Sequence, residues 1–457
     1  SALDPGALRQ ICVDPYLTQK MERIQQNIRD GSHWETWAAD FRIVTLSQLG
    51  NDTVDVWIMK TETKVYFPKG ATAPDDMLCT GEILSYRNCT YNARYTLVLR
   101  EGRWYVSAIQ DLGPDCPRGC QRITPDRLTV SAAMALPGRP YAMARTPDGR
   151  KLYVVDMPVE SATAQGSVWV IDPTANAVMS TIPLGRGFPF DIAVTPDGKW
   201  AYAAISPFSG QAITDASARV EVIDTATDQI AATILVPGTR PAPTCLAVTP
   251  DGRQVYVTDR RNDRVVVLDT ASKTFVRNIA VGTQPVGIAI APDGRRAYVA
   301  NRGDSTLTAI DVDTGQVVGT IRLGIGPSAS TTHVAIAPDG TRAYVTYEGD
   351  SRVAVIDIDR HSRTFHQEID VIPCTSLNLR GIAIGAGGRL AFVAGYDTGD
   401  VIVLDIDPYS PLYNTEIAVL PAGSGPVEVL AVPSSDVLVY AAGASSGTVS
   451  VIVMLPE

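Results

Sequence analysis

Histidine and lysine are scarce in this 457-residue chain, and no apolar stretch is long enough to cross a membrane. It has four histidines and seven lysines beside 32 arginines. A membrane-spanning helix needs about 20 consecutive apolar residues, and no such run occurs. The sequence therefore predicts no transmembrane segment. It begins with Ser1 rather than Met, which is typical of a processed form, so a native anchor upstream stays open.

Several catalytic and cofactor motifs are also missing. The sequence has no H-E-x-x-H zinc motif, no G-x-x-x-x-G-K phosphate loop and no Cys-x-x-Cys-His haem site. Each of these motifs carries its chemistry through a fixed spacing of ligands or backbone N–H groups. Their absence weighs against the common metalloprotease, nucleotide-binding and redox classes. We expect no cofactor and no resident metal.

Most of the cysteines are concentrated near the start of the chain. Five of seven are Cys12, Cys79, Cys89, Cys116 and Cys120. No Cys-x-x-Cys pair with partner histidines accompanies them, which disfavours a structural zinc site. Disulfides formed in an oxidising compartment are the better interpretation, although their pairing cannot be read from the sequence. The cysteines therefore predict an extracytoplasmic protein, secreted or at the cell surface.

The chain is acidic, and the acidity is uneven. Its formal net charge is −10. Residues 1–122 carry 14 basic and 15 acidic side chains, whereas the remainder carries 25 and 34. An acidic region without a basic stripe does not suit a polyanion. We therefore expect neither nucleic acid nor an anionic membrane as a partner.

Residues 291–324 form a unit that recurs along the second part of the chain. A Pro-Asp-Gly turn leads into the alternating strand 296–300, which is followed by strands at 306–311 and 316–323,. The turn occurs five times and decays in two further repeats. The intact copies begin at Pro147, Pro196, Pro250, Pro292 and Pro338. An Ile/Leu-Asp pair follows in step at Asp172, Asp224, Asp269, Asp311, Asp357 and Asp405.

The repeat length, roughly 42 to 54 residues, is that of a four-stranded propeller blade. The last repeat lacks a fourth strand, while an orphan strand-like run at 127–136 precedes the first repeat. This run is expected to complete the last blade, because closure of the ring removes exposed sheet edges. Residues 123–457 are therefore predicted to form a seven-bladed β-propeller closed by its own N-terminal strand, in a mainly β protein.

The second strands of the repeats carry a family resemblance. Tyr256-Val257-Thr258-Asp259 and Tyr298-Val299-Ala300-Asn301 resemble the Y-V-T-N signature of the YVTN family of seven-bladed propeller repeats, over roughly residues 127–457. Such proteins occur at prokaryotic cell surfaces, in surface layers and beside enzymes and sensor modules. The resemblance implies a prokaryotic surface protein, but the activity must be argued from the site.

Residues 1–122 follow a different pattern. Apolar residues at helical spacing predict a helix at 15–29, and strands are predicted at 41–49, 53–60, 91–100 and 103–110,. The order is that of a small α+β cone-like domain. Residues 95–109 are similar to the nuclear-transport-factor-like cone fold, including the IMS-type domain of chloroplast-division proteins. That resemblance implies a small pocket or a dimer contact and carries over no catalytic residue.

In a propeller the innermost strands begin at one mouth of the central channel, where a binding site is expected. The corresponding position in each repeat, here called the entry position, is Ala142, Asp191, Cys245, Gly287, His333, Gly381 and Glu428. Arg380 lies beside this ring. The predicted channel-mouth site therefore comprises Asp191, Cys245, His333, Arg380 and Glu428.

A second candidate surface is the rim of loops between second and third strands. The loops at 157–166 and 206–217 are long, and Arg260, Arg261 and Arg264 cluster in a third loop. Long loops on a rigid scaffold often carry recognition. We expect a protein or small-molecule ligand at this rim.

These observations predict a non-enzymatic extracytoplasmic binding or sensing module. It would be either the outer part of a membrane-anchored receptor or a cell-surface protein. One alternative is a channel-mouth enzyme, lactonase-like or lyase-like, with Asp191, His333 and Glu428 as metal ligands or acid–base groups. A structural component of a surface layer is another.

Overall fold

The computed structural model describes residues 128–454, apart from 160–164, 208–217, 325–329, 386, 409, 411 and 433–437, and the strand backbones within 36–115. The chain divides into two units, with the boundary between Arg122 and Ile123. In the described part, no helix is long and apolar enough to cross a bilayer.

The first unit contains an antiparallel sheet. Its strands are β1 (Thr36–Trp37), β2 (Arg42–Gly50), β3 (Thr53–Met59), β4 (Thr63–Lys64), β5 (Thr90–Arg100) and β6 (Arg103–Asp115). Four of them form a sheet in the order β2-β3-β5-β6, and β1 pairs with β4. The hairpin β5–β6 pairs Arg100 with Arg103, as the sequence pattern predicts. The predicted helix at 15–29 and the five clustered cysteines lie outside the described residues.

The second unit consists of seven four-stranded antiparallel sheets, numbered as blades 1 to 7. A strand before them is β7 (Leu128–Ala135). The strands of blades 1 to 3 are β8 (Pro140–Arg145), β9 (Leu152–Asp156), β10 (Gln165–Asp172), β11 (Ala177–Arg186); β12 (Phe188–Val194), β13 (Trp200–Ser206), β14 (Arg219–Asp224), β15 (Gln229–Leu235); and β16 (Pro243–Val248), β17 (Gln254–Asp259), β18 (Arg264–Asp269), β19 (Thr274–Ala280).

The remaining blades repeat the arrangement. Their strands are β20 (Pro285–Ile290), β21 (Arg296–Asn301), β22 (Thr306–Asp311), β23 (Val317–Arg322); β24 (Ser330–Ile336), β25 (Arg342–Glu348), β26 (Arg352–Asp357), β27 (Gln367–Pro373); β28 (Leu379–Ile384), β29 (Leu390–Gly395), β30 (Asp400–Asp405), β31 (Thr415–Pro421); and β32 (Pro426–Ala431), β33 (Val439–Gly443), β34 (Thr448–Met454). The first strands of neighbouring blades contact one another around the ring. The predicted seven-bladed β-propeller is thus confirmed.

Blade 7 is completed by the strand that precedes blade 1. β34 pairs antiparallel with β7, so that Met134 lies opposite Val449 and Ala133 opposite Ser450. Leu128 of β7 packs in an apolar cluster with Phe392 of blade 6. The predicted closure is confirmed: β7 covers the edge that β34 would otherwise expose,.

The repeated aspartates stabilise the turns. In each of the five Pro-Asp-Gly turns, the aspartate accepts the N–H two residues further on. The glycine of each turn has φ near +70°, for example +72° at Gly294, where a side chain is strained. The Ile/Leu-Asp aspartates accept an N–H two or three residues further on, at the turn between third and fourth strands. These short-range bonds explain why the repeat is legible in the sequence.

The core lies between the blades. Each second strand buries a large aromatic side chain at the same repeat position, and these are Tyr153, Tyr202, Tyr256, Tyr298, Tyr344, Phe392 and Tyr440. Several tyrosine hydroxyls reach the next blade. Tyr153 donates to Asp228 Oδ1 at 2.7 Å, and Tyr256 donates to the Val312 carbonyl at 3.1 Å. The aromatic position therefore both fills the interface and locks neighbouring blades together.

Candidate functional site

A cavity of about 130 Å³ opens at the end of the channel where the seven first strands begin. It is lined by Tyr141, Phe190, Asp191, Thr244, Cys245, Arg260, Val286, Arg302, Thr332, His333, Glu348, Arg380, Val427 and Glu428. All five residues predicted for the channel-mouth site are among them. The structure therefore brings these five side chains together at one cavity.

The lining comes from three repeat positions. One is the entry position, and the second is the residue before it, from Tyr141 to Val427. The third, here called the strand-end position, follows the Tyr-Val signature and supplies Arg260, Arg302 and Glu348. Each first strand shifts register near the entry position, as between Pro189 and Asp191. A bulge of this kind directs successive side chains toward the same side.

Two entry positions have no side chain because the first strands approach closely there. A Cβ at Gly287 would lie 2.6 Å from the Thr332 carbonyl oxygen of blade 5. A Cβ at Gly381 would lie 2.6 Å from the Glu428 Cα of blade 7. Glycine at these positions is thus a packing requirement. The polar and charged side chains at the entry position therefore come from other blades.

Asp191 bridges blades 2 and 3. Its carboxylate accepts the N–H groups of Ile192 and Leu246, both at 2.7 Å, and also the Cys245 thiol. Burial raises the pKa of Asp191 to about 6 despite these hydrogen bonds,. The side chain still faces the cavity, because its surface is only partly covered.

Glu428 bridges blades 7 and 1 in the same way. Its Oε2 accepts the Met143 N–H at 3.0 Å. Burial, and then the nearby charge of Asp191, raise the pKa of Glu428 well above its usual range. The charge of Asp191 therefore disfavours ionisation of Glu428,.

Cys245 lies beside Asp191 and is a weak nucleophile. Burial, followed by the Asp191 charge, raises the pKa of its thiol well above the ordinary value. The Ile288 N–H bonds to this sulfur. Because the thiolate is the reactive form, a thiol held protonated suits packing and hydrogen bonding rather than catalysis.

His333 is neutral at physiological pH. Burial, and then the charge of Arg380, lower its pKa to about 4. Its backbone N–H donates to Thr346 Oγ1 at 3.2 Å. The buried Nδ1 of His333 has no hydrogen-bond partner among the described residues.

An arginine cluster occupies the other side of the cavity. Glu348 pairs through Oε2 with Arg302, and through Oε1 with Arg380 at 3.2 Å. The Arg380 guanidinium also lies 4.0 Å from the ring centre of Tyr396. Its buried Nε has no partner within the described part of the chain. The Glu348 carboxylate therefore forms salt bridges with two guanidinium groups.

Arg260 is the third cation of this cluster. Its hydrogen bond is to the neutral Gln284 Oε1, at 3.4 Å, and in the described structure no carboxylate pairs with it. Burial, and then the neighbouring charge of Arg302, lower the pKa of Arg260. A guanidinium between a low-dielectric wall and a like charge favours an anion nearby.

The three arginines of the predicted rim cluster have different environments. Arg260 lines the cavity, whereas Arg261 is exposed. Arg264 pairs with the fully buried Asp259 at 2.9 Å and donates to the Pro237 carbonyl. They do not form one patch. Most of the long loops at 157–166 and 206–217 lies outside the described residues.

Sequence reasoning missed Arg302 and Glu348. The repeat pattern could have identified both residues. They occupy the strand-end position directly after the second-strand signature, as Arg260 does. It also passed over Gly443-Ala-Ser-Ser-Gly447, which matches the G-x-S-x-G spacing of hydrolases. That motif requires a strand-to-helix turn, whereas here it joins β33 to β34.

In the part of the chain that the structure describes, the histidines and carboxylates do not form a metal-binding group. Within the described residues, no group of three or more His, Cys, Asp or Glu side chains could hold a metal ion. Asp191, His333 and Glu428 thus lack the arrangement that the metal-dependent alternative needs. His366 lies 3.2 Å from the Tyr298 hydroxyl and stacks on Phe365, while His361 is exposed.

Comparisons with known proteins agree on the fold. The family described as YNCE-like beta-propeller matches residues 212–293. No curated protein matches the sequence. Among solved structures, Kuenenia stuttgartiensis hydrazine synthase is similar, with a TM-score of 0.58 and 22% identity over 74% of this chain and 99% of the other. At that identity the likeness shows the architecture alone: the second unit of this chain is a seven-bladed β-propeller.

Proposed function

We propose that this chain is a non-enzymatic binding or sensing module that acts outside the cytoplasm and takes a small ligand at the channel mouth. The observation that carries the proposal is the cavity, where polar groups of six blades converge on one space. Drug-sized ligands occupy about 300–1,000 Å³. A volume of about 130 Å³ suits a ligand of few non-hydrogen atoms.

The chemistry of the cavity favours binding over catalysis. The Asp191 carboxylate is saturated by donors from its own and the next blade. The Cys245 thiol is protonated, and no described group bonds to His333 Nδ1 to orient the ring. Nucleophilic catalysis needs a nucleophile and a base in hydrogen-bond contact, with a third group that orients the base. Asp191 does contact the Cys245 thiol, but burial and then the charge of Asp191 raise the pKa of the thiol, so this pair supplies no thiolate nucleophile,.

The extracytoplasmic part of the proposal rests on the five cysteines before residue 122. Disulfides persist in oxidising compartments. Alkylation of the unreduced protein under denaturing conditions, followed by intact-mass measurement, counts its free thiols. Two alkylated cysteines or three support the proposal, whereas seven would contradict it. The module would serve either as the outer part of a receptor or as a surface protein.

One observation favours an enzyme as the second candidate. Asp191 has a pKa of about 6 beside a second carboxyl group. A pKa near neutrality is what a general acid or base requires. A lactonase-like or lyase-like activity would appear as turnover that is lost in Asp191→Asn. Turnover of simple lactones by the wild type would overturn the non-enzymatic proposal.

Cavity filling tests the binding proposal. Small acids, amides, amines and sugars would be screened for stabilisation of the full chain by differential scanning fluorimetry. Val286→Phe fills the cavity, since Val286 lines it. Val318→Phe is the matched control on an outer strand, where Val318 is 45% exposed.

We expect any stabilising compound to lose its effect on Val286→Phe and to keep it on Val318→Phe. Equal stabilisation of both variants would place binding elsewhere. If no compound raises the midpoint of the wild type, the proposed ligand site is wrong.

A further inference from the structure

We propose that the cavity recognises a short-chain carboxylate, a monoanion whose carboxylate group sits against the Arg260 guanidinium. This inference rests on the proposed function and specifies its ligand. It starts from the distribution of charge around the cavity. Arg260, Arg302 and Arg380 line one side, and Glu348 is the carboxylate that pairs with two of them.

Among the described residues of this cluster, Arg260 is the cation that forms no salt bridge, although the charge of Glu348 acts on it from nearby. Its neighbour Arg302 is engaged by Glu348, and its own hydrogen bond goes to a neutral amide at 3.4 Å. Removal of a guanidinium from water without a counter-charge is unfavourable. A bound anion would offset both this cost and the repulsion from Arg302. The planar guanidinium matches a carboxylate through two parallel hydrogen bonds.

The polar groups without partners lie on the same side. Arg380 Nε is a buried donor and His333 Nδ1 a buried ring nitrogen, and neither has a hydrogen-bond partner among the described residues. Buried polar atoms normally find a partner in protein, water or ligand. An anion with two oxygens beside Arg260 offers acceptors to this side of the cavity.

The acidic groups of the cavity limit the ligand to a single negative charge. Asp191 and Glu428 also line the cavity, and each added negative charge on the ligand would repel the Asp191 carboxylate, which is ionised above its pKa of about 6. A dianion such as phosphate is therefore disfavoured. The rest of the wall is apolar or aromatic: the rings of Tyr141 and Phe190 meet edge to face at 5.7 Å, beside Val286 and Val427. These surfaces suit a short hydrocarbon end.

Isothermal titration calorimetry on the full chain tests this choice. The probes are acetate and propionate, with propionamide as the neutral isostere, methylammonium as a cation and inorganic phosphate as a dianion. We expect propionate to bind, and propionamide, methylammonium and phosphate to bind at least about tenfold more weakly. A tenfold difference in affinity corresponds to only about 1.4 kcal/mol, so the loss of one charge-assisted contact is enough to produce it.

The variant pair is Arg260→Gln and Arg261→Gln. Both remove one arginine from the same loop, but Arg261 is exposed and does not line the cavity. Propionate affinity should fall at least about tenfold in Arg260→Gln and stay within about twofold in Arg261→Gln, because a charge-assisted pair contributes more than remote screening. Arg260→Lys should retain part of the affinity. Thermal midpoints establish that all three variants fold.

Three outcomes overturn the inference. Propionate could bind Arg260→Gln as tightly as it binds the wild type. Propionamide or methylammonium could bind as well as propionate, with loss of binding in Val286→Phe, in which case the cavity remains a ligand site and only the anion is wrong. Phosphate could bind more tightly than either carboxylate, which would assign the arginines to a dianion. If no probe binds the wild type at all, the inference is wrong, and the wider fluorimetry screen decides the proposed function separately.

Discussion

At the residue scale, two side chains of the cavity shift stability with pH in opposite senses. The pKa of Asp191 is raised to about 6, so its stabilising contribution is complete below the unfolded value of 3.8 and is lost as pH rises through 6,. The pKa of His333 is lowered to about 4, so its contribution is complete above 6.5 and is lost as pH falls toward 4,. Between pH 4 and 6 the two effects offset one another.

Single substitutions should separate these effects. The free energy of unfolding of His333→Gln should rise relative to wild type as pH falls from 6.5 to 4, by up to about 3 kcal/mol. Asp191→Asn should lose stability at every pH, because its amide NH₂ cannot accept an N–H. The gap between its free energy of unfolding and that of the wild type should nevertheless shrink by up to about 3 kcal/mol as pH rises from 4 to 6, because only the wild type loses stability through ionisation of Asp191.

Urea unfolding at intervals of half a pH unit measures these slopes. Arg380 faces His333, while Cys245 and Glu428 face Asp191. The pKa of Glu428 is raised, as is that of Asp191. Because Glu428 is still present in Asp191→Asn, the free energy of unfolding of this variant should still fall as pH rises, but less steeply than that of the wild type. Parallel profiles for both variants and the wild type would refute the opposed shifts.

At the scale of the element, the second strand of each blade carries the contact that joins blades. Tyr153 of β9 is fully buried and donates to Asp228, which also accepts from Lys151 Nζ at 2.9 Å. Asp228 belongs to the turn after β14 in the next blade. Blade 6 has Phe392 at this position, so the ring alone can fill the interface.

Tyr153→Phe should keep the packing and lose the hydrogen bond. A bond to a charged acceptor contributes about 1.5–3 kcal/mol, and the free energy of unfolding in urea should fall by that amount. The matched control is Tyr440→Phe, because the Tyr440 hydroxyl bonds to no residue of the described structure. That variant should change by less than about 0.5 kcal/mol. Equal losses in both would mean that the hydroxyl of Tyr153 contributes nothing specific.

At the scale of the whole molecule, β7 decides whether the seven blades form a closed ring. Without it, blade 7 would expose the edge of β34, and blade 6 would lose a neighbour, since Leu128 packs with Phe392 and Ile452. The two ends of the propeller are joined by the pairing of β34 with β7 inside blade 7 rather than by a covalent connection.

Leu128→Ala should therefore lower the free energy of unfolding of the propeller by about 2–5 kcal/mol, the range for a buried leucine. Leu128 is 5% exposed, whereas Leu235 on an outer strand is 52% exposed. Leu235→Ala is the matched control and should cost less than about 0.5 kcal/mol. Denaturant unfolding followed by tryptophan fluorescence gives both values. A Leu128→Ala loss no larger than that of the control would show that the ring does not depend on this strand.

The fold of residues 123–457 was predictable because its signals are local. Asp148 and Gly149 act within a turn, and the alternation of β21 is visible over six residues. The cavity was only partly predictable. Asp191, His333 and Glu428 could be placed at the channel mouth by counting along the repeat. The pairing of Glu348 with Arg302 and Arg380 could not, because it joins three blades.

By itself the sequence determined the seven repeats, their turns and the strand that closes the ring. Each of these depends on contacts within one repeat or on the count of repeats, so the pattern of residues along the chain carries the information. Only the tertiary structure decided which polar groups meet. Glu428 accepts a hydrogen bond from Met143, 285 positions away. Closure of the ring brings Glu428 toward Asp191, and burial at that junction sets the charges of the site. Among the described residues Arg260 forms no salt bridge, and the charges of Arg302 and Glu348 act on it in opposite senses.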